Sequence, residues 1–245
     1  MKRYGLIGHP LGHSFSATYF NEKFAREGLD AHYDNYDLSD VRELLELVKN
    51  LGEELVGLNV TIPYKQAVIP YLDSLSDEAR AIGAVNVIKF LGEHLEGHNT
   101  DVIGFRESLR PLLKSWHKKA YILGTGGASK AVCHAMGQLN IEFTLVSRSP
   151  KGENVISYED LDAALRTNAD VVIVNCTPLG MFPNVEACAP LPYEVLNERT
   201  LLYDLVYNPE ETLFLRRGRM QGCITKNGIE MLWKQANAAW EIWGK

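Results

Sequence analysis

Hydrophobic and polar positions alternate with two different periods along the first half of the chain. Short apolar runs at 4–7, 32–36 and 55–60 are typical of strands. Between them, residues 17–26 and 41–49 carry apolar side chains three and four positions apart, which predicts amphipathic helices. Strands that alternate with helices in this way indicate an α/β fold with a mostly parallel sheet and helical connections.

A hairpin and a second alternation follow. Residues 85–90 and 94–97 form two short apolar runs on either side of Gly92, and a glycine between such runs favours a tight turn. After a basic segment that contains Pro111, the pattern predicts a strand, a helix and a strand at 120–123, 129–139 and 141–146. We therefore place a domain boundary near residue 105.

Two apolar, β-branched runs later in the chain, 171–175 and 201–205, predict further strands. Both end in polar, turn-forming residues. Because ligands of open α/β sheets bind at the carboxyl ends of strands, these ends are candidate site positions. The last predicted helix, 229–243, is strongly apolar on one face, so it must pack against other elements, and we expect it to return to the first domain.

The composition is that of an ordinary globular protein and excludes several classes. Of the 245 residues, 46% are hydrophobic and 23% are charged, which rules out disordered, collagen-like and coiled-coil chains. The net charge of -6 provides no basic surface for nucleic acid. No apolar stretch approaches the roughly 20 residues that span a bilayer, and no signal-peptide pattern is visible, so we expect a cytoplasmic protein without a membrane partner.

The four cysteines give no sign of a metal site. Cys133, Cys176, Cys188 and Cys223 lie far apart, without a Cys-x-x-Cys pair or a Cys/His ligand spacing. The seven histidines do not combine with them at ligand spacing either, which disfavours a metal-dependent alcohol dehydrogenase. We expect buried, reduced thiols and no bound metal.

A glycine-rich segment, Gly124-Thr125-Gly126-Gly127-Ala128, follows a predicted strand and opens the next helix. Gly124 permits the tight turn, and Gly126 lets the backbone approach a pyrophosphate, which the N–H groups at a helix N-terminus can bind. A plain strand-to-helix turn is the alternative. Because a strand precedes and a helix follows, we predict dinucleotide binding.

The preference for NAD or NADP depends on the residues at the end of the next strand, where NAD enzymes usually carry Asp or Glu against the ribose hydroxyls. Here the chain has Ser147-Arg148-Ser149-Pro150-Lys151 and no carboxylate. Arg148 can form a charge-assisted fork with a 2'-phosphate, and Ser147 and its neighbours can assist. We therefore predict NADP, with a solvated basic turn as the alternative.

Four polar clusters interrupt the first domain at predicted loops or strand ends, namely 13–16, 59–65, 83–86 and 98–101. Together they supply hydroxyls, amides, one ammonium and one carboxylate, a set that suits a polyhydroxylated small molecule. Each cluster also has a purely structural explanation. Ser14 or Ser16 can cap the following helix, and Asn59 and Thr61 can close a turn after their strand.

Lys65 is the most specific candidate in these clusters. It follows Pro63, a residue favoured in the first turn of a helix, where the helix dipole disfavours a cation by about 0.3–1 kcal/mol. This cost favours a partner for the ammonium and a role in proton transfer. Asp101, at the end of its own predicted strand, is the natural carboxylate, and an exposed surface lysine is the alternative.

The clusters, in this order, match a known family over nearly the whole chain. The segments that carry the match are Gly8-His9-Pro10-Leu11-Gly12-His13-Ser14-Phe15-Ser16, 59–65, Gly83-Ala84-Val85-Asn86, Asn99-Thr100-Asp101 with Gly104, 124–129, 175–180, 204–209, 228–232 and Gln235-Ala236. Jointly they resemble the shikimate dehydrogenase family. The resemblance implies a substrate domain at 1–105 with 225–245, and a Rossmann-like NADP-binding domain at 106–224.

The resemblance also implies a reaction and residue roles. The reaction is the reversible NADPH-dependent reduction of 3-dehydroshikimate to shikimate in aromatic amino-acid biosynthesis, with Lys65 and Asp101 as the catalytic pair. Positions that bind the substrate in the family are matched by Ser14, Ser16, Thr61, Asn86, Tyr207 and Gln235. Positions around the cofactor are matched by Gly124, Thr125, Gly126, Gly127, Ala128, Ser147, Arg148, Asn175, Thr177 and Gly228.

The sequence leaves two other functions open. A quinate/shikimate-type dehydrogenase would accept NAD or quinate, and one substrate hydroxyl cannot be read from sequence. A non-catalytic metabolite-sensing protein on the same fold would need neither Lys65 nor Asp101, yet both stand in their motifs. We expect a monomer or a homodimer, between which the sequence does not choose.

The chain is shorter than is common in the family, and the difference falls largely after Arg148. Residues 149–154 lead almost at once to the apolar residues that follow, whereas a helical crossover needs about 10–12 residues. We therefore predict a cofactor domain that lacks the usual helix after its second strand. Smaller departures from the family's pattern, none of which removes a catalytic group, are Ala17, Val87, Val102 and Ser147.

Overall fold

The computed structural model of the protein describes residues 1–12 and 14–244, so His13 of the first motif and Lys245 lie outside the described residues. The chain forms two compact units, Met1–Thr100 with Ala236–Lys245, and Asp101–Gln235. The sequence placed the transitions near residue 105 and at 225. In the structure, the first transition falls at Asp101, where a helix begins, and the second falls between Gln235 and Ala236, inside the last helix. The second could not be located from the sequence, because a continuous helix carries no local signal where its packing partner changes.

The described residues of the first unit form a sheet of six strands. These strands are β1 (Lys2–Gly8), β2 (Ala31–Asp37), β3 (Leu55–Val60), β4 (Ser74–Leu75), β5 (Val87–Leu91) and β6 (His94–His98), in the order β2-β1-β3-β5-β6-β4. β1 pairs parallel with β2 and β3, whereas β5 pairs antiparallel with β3 and β6. The predicted hairpin is therefore confirmed, with Gly92 at φ 65 in its turn.

The two helices predicted at 17–26 and 41–49 are present, and two shorter helices follow them. They are α1 (Phe15–Glu27), α2 (Glu43–Leu51), α3 (Tyr64–Ala67) and α4 (Asp77–Ile82), with 3-10 turns at Gly52–Glu54 and Ile69–Tyr71. Ser14 caps α1, since its Oγ accepts a hydrogen bond from the Ala17 backbone N–H at 3.4 Å. Gly28, at φ 65, ends the same helix in the left-handed conformation that favours glycine.

An aromatic cluster forms part of the core of the first unit. Its buried rings are Tyr4, Phe20, Phe24, Tyr33, Trp240 and Trp243. The two tryptophans come from the end of the last helix, whose residues from Ala236 onward belong to this unit. The apolar face that the sequence predicted for this helix is therefore buried against β1, β2 and α1.

The second unit contains a parallel sheet. Its strands are β7 (Lys119–Leu123), β8 (Glu142–Val146), β9 (Val155–Ile156), β10 (Val172–Asn175), β11 (Leu201–Asp204) and β12 (Ile224–Lys226), in the order β12-β11-β10-β7-β8-β9. Counted within this unit, the order is 3-2-1-4-5-6, the arrangement of Rossmann folds. Its helices are α5 (Asp101–Leu109), α6 (Gly127–Gln138), α7 (Tyr158–Thr167), α8 (Leu213–Met220) and the start of α9 (Ile229–Trp243).

The connection between β8 and β9 is short. Residues 147–154, all of which the structure describes, form turns and bends and contain no helix. β9 nevertheless pairs parallel with β8, with Leu145 opposite Val155. The Asn154 Nδ2 group donates to the Phe143 carbonyl at 2.9 Å, which holds this connection against the edge of β8. The side of the sheet next to Arg148 is therefore bounded by a loop.

Candidate active site

The first unit gathers its polar candidates at one end of its sheet. Ile7 of β1 lies opposite Val60 of β3, and Val87 of β5 lies opposite both Asn59 and His98. Because the register places these residues at one level, the loops after β1, β3 and β6 and the segment before β5 start from the same end. That end holds the candidates Ser14, Ser16, Thr61 and Asn86.

A buried asparagine links these loops. The Asn86 Oδ1 accepts a hydrogen bond from the Thr100 backbone N–H at 2.7 Å, and its Nδ2 donates to Thr100 Oγ1 at 3.0 Å. The neighbouring Val85 N–H donates to the Lys65 carbonyl at 2.7 Å. The backbone of Lys65 is thereby connected, through two adjacent residues, to Thr100, which precedes Asp101 in the chain.

The three hydroxyl candidates of the first unit have different surroundings. Ser14 caps α1, so the structural explanation proposed for one of the serines is confirmed for this residue. Ser16 lies in the first turn of α1. Thr61 follows β3, and its carbonyl closes a turn by accepting from the Tyr64 N–H at 2.9 Å. The turn predicted after β3 is thus present.

The loop that leads to Ser14 is tied to the edge strand β2. The His9 ring Nδ1 lies 2.7 Å from Asp37 Oδ1, and the Leu11 N–H donates to Asp37 Oδ2 at 3.2 Å. The hydrogen bond from His9 has the larger effect and the one from Leu11 the smaller, and both lower the pKa of the Asp37 carboxyl below its ordinary value. Neither His9 nor Asp37 was selected as a site residue from the sequence.

Lys65 occupies the second position of α3, so the helix predicted after Pro63 is present. It is only four residues long, Tyr64–Ala67. Since the helix dipole grows with the number of aligned peptide units, the penalty on the ammonium expected from the sequence is smaller than for a full helix. Lys65 is half-buried, and Asp101, the first residue of α5 in the second unit, is 7% exposed.

The second unit collects its candidates at the carboxyl edge of its sheet. In the parallel registers, Leu123 at the end of β7 lies opposite Val146 and Asn175, and Asn175 lies opposite Asp204. Four neighbouring strands therefore end at the same level. The glycine loop, the Ser147-Arg148 turn, the Asn175–Thr177 segment and the residues after Asp204 all leave from this edge, which is where Rossmann folds bind dinucleotides.

The glycine loop has the geometry that close approach to a phosphate requires. Gly124 has φ +100, and a Cβ there would lie 3.0 Å from Thr177 Cγ2, so both conformation and space favour glycine. Gly126 is the N-cap residue of α6, and Ser129 Oγ donates to its carbonyl at 2.7 Å. Thr125 and Gly126 are exposed, which leaves the backbone of the loop accessible to a ligand.

Arg148 is exposed on the turn after β8. The Ser149 N–H donates to Ser147 Oγ at 3.2 Å, so the Ser147 side chain is used within the turn. Burial raises the pKa of the Tyr158 phenol, and the charge of nearby Arg148 acts in the opposite direction. Tyr158, the first residue of α7, therefore borders the Arg148 turn, although no sequence motif had selected it.

Asp204 organises the middle of this edge, and sequence reasoning missed it as a site residue. Its buried carboxylate accepts hydrogen bonds from Asn175 Nδ2 at 2.9 Å, the Val206 N–H at 3.0 Å and Thr212 Oγ1 at 2.5 Å. Asn175 Oδ1 in turn accepts from the Thr177 hydroxyl at 2.6 Å. The carboxylate thus sets the orientation of the two cofactor candidates Asn175 and Thr177.

The remaining candidates lie on either side of β12 and in α9. The Gly228 N–H donates to the Val206 carbonyl at 3.2 Å, and a Cβ on Gly228 would lie 2.2 Å from the Leu205 carbonyl oxygen, so no side chain fits there. Tyr207 is 40% exposed, and Gln235 is buried with its Nε2 donating to the Leu232 carbonyl at 3.0 Å. Both belong to the second unit.

The described residues contain no group of three or more His, Cys, Asp or Glu side chains arranged to hold a metal, and no helix long and apolar enough to cross a membrane. The cysteines are free. Cys223 is buried, whereas Cys133, Cys176 and Cys188 are partly exposed as whole residues, and burial still raises the pKa of the Cys133 and Cys176 thiols.

The burial of Asp204 predicts a pH-dependent stability. Burial raises its carboxyl pKa from 3.8 to about 6, so the folded state holds the proton more tightly than the unfolded chain. From this group alone, the free energy of unfolding should fall by about 3 kcal/mol as the pH rises from about 3 to 7. Asp204→Asn, which cannot ionise, should lack that fall. Urea unfolding of both proteins across this pH range measures it, and parallel pH profiles would contradict the prediction.

The fold and the site together define a class of two-unit, dinucleotide-binding proteins. The protein combines a Rossmann-type dinucleotide-binding unit with a separate α/β unit that carries a polar cluster. The family model described as the shikimate dehydrogenase substrate binding domain matches residues 6–88. The NADP(+) shikimate dehydrogenase of Caldanaerobacter subterraneus subsp. tengcongensis is 36% identical over 260 residues, with 99% of this chain and 91% of the relative covered. This chain belongs to the shikimate dehydrogenase family.

Solved structures agree with this assignment. Shikimate 5-dehydrogenase from Thermus thermophilus, in complex with NADP(H) and shikimate, is 32% identical with a TM-score of 0.87, and the match covers 100% of this chain and 94% of that one. Quinate dehydrogenase from Corynebacterium glutamicum, in complex with NAD, is 28% identical with a TM-score of 0.87, covering 99% and 93%. The predicted two-domain α/β fold is confirmed.

Proposed function

We propose that this chain catalyses the reversible reduction of 3-dehydroshikimate to shikimate with NADPH, a step of aromatic amino-acid biosynthesis. The observation that carries the proposal is the similarity over 99% of the chain to an NADP(+)-dependent shikimate dehydrogenase. The site geometry supports it, since one unit presents hydroxyl, amide and ammonium groups at one sheet end and the other presents a glycine loop beside an arginine.

Lys65 and Asp101 are the proposed catalytic pair. In the reduction, the Lys65 ammonium stabilises the oxygen that becomes an alkoxide and donates a proton to it, and it then regains a proton from solvent. Asp101 is assigned to the same step, as the carboxylate that stands with this lysine in the family's motifs. The substrate's carboxylate, hydroxyls and ring face are bound by Ser14, Ser16, Thr61, Asn86, Tyr207 and Gln235.

The residues at the edge of the second sheet fit a dinucleotide. The bare Gly124 and Gly126 backbone at the start of α6 suits the pyrophosphate, and Arg148 with Ser147 suits the 2'-phosphate. Asn175, Thr177 and Gly228 suit the ribose and nicotinamide end. When bound, the reduced dinucleotide supplies the hydride.

A spectrophotometric assay of the purified protein with shikimate or quinate, each with either NADP or NAD, tests the function. We expect turnover with NADP. Turnover mainly with quinate and NAD would instead support the second candidate, which the similarity to the NAD-bound quinate dehydrogenase favours. If the protein binds shikimate but turns it over with neither cofactor, it is a sensing protein and the enzyme assignment is overturned.

Replacement of Arg148 tests the cofactor preference. Because hydrogen bonds to charged groups contribute about 1.5–3 kcal/mol, Arg148→Ala should raise the KM for NADP by about 10- to 100-fold and leave the KM for NAD unchanged. Arg166→Ala is the matched control, since Arg166 is exposed on α7 and paired with Asp162 and Glu194. Equal losses for both cofactors would contradict a contact with the 2'-phosphate.

A further inference from the structure

Asp204 is a buried carboxylate that the proposed reaction does not use. It ends β11, is fully buried and forms no salt bridge within the described residues. A buried charge without a cation lowers the stability of a fold, so stability alone does not explain this residue. Its hydrogen bonds lead instead to the residues proposed to hold the dinucleotide.

The side chain of Asn175 is fully hydrogen-bonded within the second unit. Its Nδ2 donates to Asp204 Oδ1 at 2.9 Å and to the Leu179 carbonyl at 3.3 Å. Its Oδ1 accepts from the Thr177 N–H at 3.0 Å and from the Thr177 hydroxyl at 2.6 Å. A side-chain amide has two protons to donate and two lone pairs to accept with, so none is left for a ligand. Asn175, which is 1% exposed, can therefore act on a cofactor only through its neighbours.

Thr177 connects this amide to the glycine loop. Its hydroxyl donates to Asn175 Oδ1 and accepts from the Leu179 N–H at 3.3 Å, which selects one side-chain rotamer. In that rotamer the Cγ2 methyl lies against Gly124, since a Cβ on this glycine would be 3.0 Å from it. A series of direct contacts thus runs from Asp204 through Asn175 and Thr177 to the first residue of the glycine loop.

The same carboxylate oxygen also holds the segment that follows β11. The Val206 N–H donates to Asp204 Oδ1 at 3.0 Å, and the Gly228 N–H donates to the Val206 carbonyl at 3.2 Å. Thr177 and Gly228, which were assigned above to the ribose and nicotinamide end of the cofactor, are therefore both connected to one buried oxygen atom.

We propose that Asp204 is a positioning residue for the dinucleotide, which acts through Asn175 on one side of the nicotinamide end and through Val206 on the other. The inference rests on the cofactor part of the proposed function, which assigns Thr177 and Gly228 to that end. Because the hydrogen bonds are complete within the protein itself, these groups need not be ordered when the cofactor binds, and its affinity is higher.

Asp204→Ala removes the shared acceptor, and fluorescence titration with NADPH and NADH measures the effect. From the usual cost of ordering side chains at a binding site, we expect the Kd of NADPH to rise about 3- to 30-fold. The Kd of NADH should rise by the same factor, because β10 and β11 lie on the opposite side of β7 from β8 and the Arg148 turn. The KM for shikimate should change by less than twofold.

The conservative variant Asp204→Asn should restore binding of both dinucleotides to within about threefold of the unmodified protein. Its amide oxygen can still accept from Asn175 and Val206, while its nitrogen faces Thr212. The Thr212 hydroxyl, which donates to Asp204 Oδ2 in the structure, can rotate to accept instead. If Asp204→Ala does not fold, Asn175→Ala removes the same hydrogen bond from the other partner and should raise both Kd values equally.

Thr212→Val is the matched control for stability. It removes the hydrogen bond to the other carboxylate oxygen and the N-cap of α8, and it leaves the Asp204–Asn175 hydrogen bond in place. Urea unfolding should show a loss of stability, whereas the Kd of NADPH should stay within twofold. In a Thr177→Val background, most of the effect of Asp204→Ala on the Kd should disappear, because both changes act on the same series of contacts.

Four results would each overturn the proposal: an unchanged Kd for NADPH in a folded Asp204→Ala protein, a rise for NADPH without one for NADH, no restoration by Asp204→Asn, or an equal rise for Thr212→Val. If the unmodified protein binds NADPH but does not turn over shikimate, the proposed reaction alone fails. If it binds no NADPH, the cofactor assignment fails, and the role of Asp204 fails with it.

Discussion

Lys65→Met should lower kcat for shikimate oxidation by about 10²- to 10⁴-fold, the range that a positioned proton-transfer group contributes. Methionine has a similar length and no ammonium, so the variant removes the proton donor and the charge while filling the same space. The KM for shikimate should change little, because the hydroxyl and amide candidates Ser16, Thr61 and Asn86 remain. Steady-state kinetics with saturating NADP measures both constants.

The matched control is Lys89→Met, which makes the same change on β5, opposite Gly57 in the neighbouring strand and away from the loop end of the sheet. It should leave kcat within twofold of the unmodified protein. A Lys65→Met variant whose defect lies mainly in KM would show that the lysine binds substrate without taking part in proton transfer. Asp101→Asn should show a similar pattern to Lys65→Met, since the carboxylate acts on the same step.

Trp243→Ala should lower the free energy of unfolding by about 3–5 kcal/mol, the range for truncating a buried aromatic side chain. The Trp243 ring is 4% exposed, with centroids 5.1 Å from Tyr4 and 5.3 Å from Phe20. Its Nε1 donates to the Ile88 carbonyl at 3.0 Å, so the variant also loses this hydrogen bond. A Cβ on Gly57 would lie 2.1 Å from Nε1, which shows how closely the indole approaches β3.

Urea unfolding measures this loss, and the chain offers a control in the same helix. Trp233 is 45% exposed, so Trp233→Ala should change the unfolding free energy by less than about 1 kcal/mol. Trp243→Phe should fall between the two, because it keeps most of the buried ring and loses the hydrogen bond. A loss below about 1 kcal/mol for Trp243→Ala would contradict the role of the α9 end in the core of the first unit.

The strands and helices that the sequence predicted could be recognised because their signals are local. The strand at 55–60 and the helix at 229–243 have the limits that their hydrophobic patterns predicted, and the other predicted elements differ from the structure at their ends by a few residues. The glycine loop at 124–128 lies between a strand and a helix, as its sequence required. Such features depend on residues within one or two turns of each other, so a single sequence contains them.

The burial of individual side chains and their hydrogen-bond partners far along the chain were less predictable. The partial exposure of three cysteine residues and the four-residue length of the helix at Lys65 were not predicted, because burial and helix length depend on what packs against a segment. Tyr33 and Asp204 escaped selection for the same reason. Tyr33 reaches an asparagine 26 positions away, and Asp204 reaches one 29 positions away, so neither hydrogen bond leaves a local pattern.

By itself, the sequence determined the order of strands and helices, the glycine loop, the basic turn at Arg148 and the motifs that resemble shikimate dehydrogenases. Only the tertiary structure decided the strand order of each sheet, the edge of each sheet at which its candidate residues lie, and the buried network that joins Tyr33 through Asn59 and Asn86 to Thr100. The physical reason is that periodicity and turn chemistry act between near neighbours, whereas the orientation of a buried hydroxyl or amide is set by whichever distant donor or acceptor the fold brings to it.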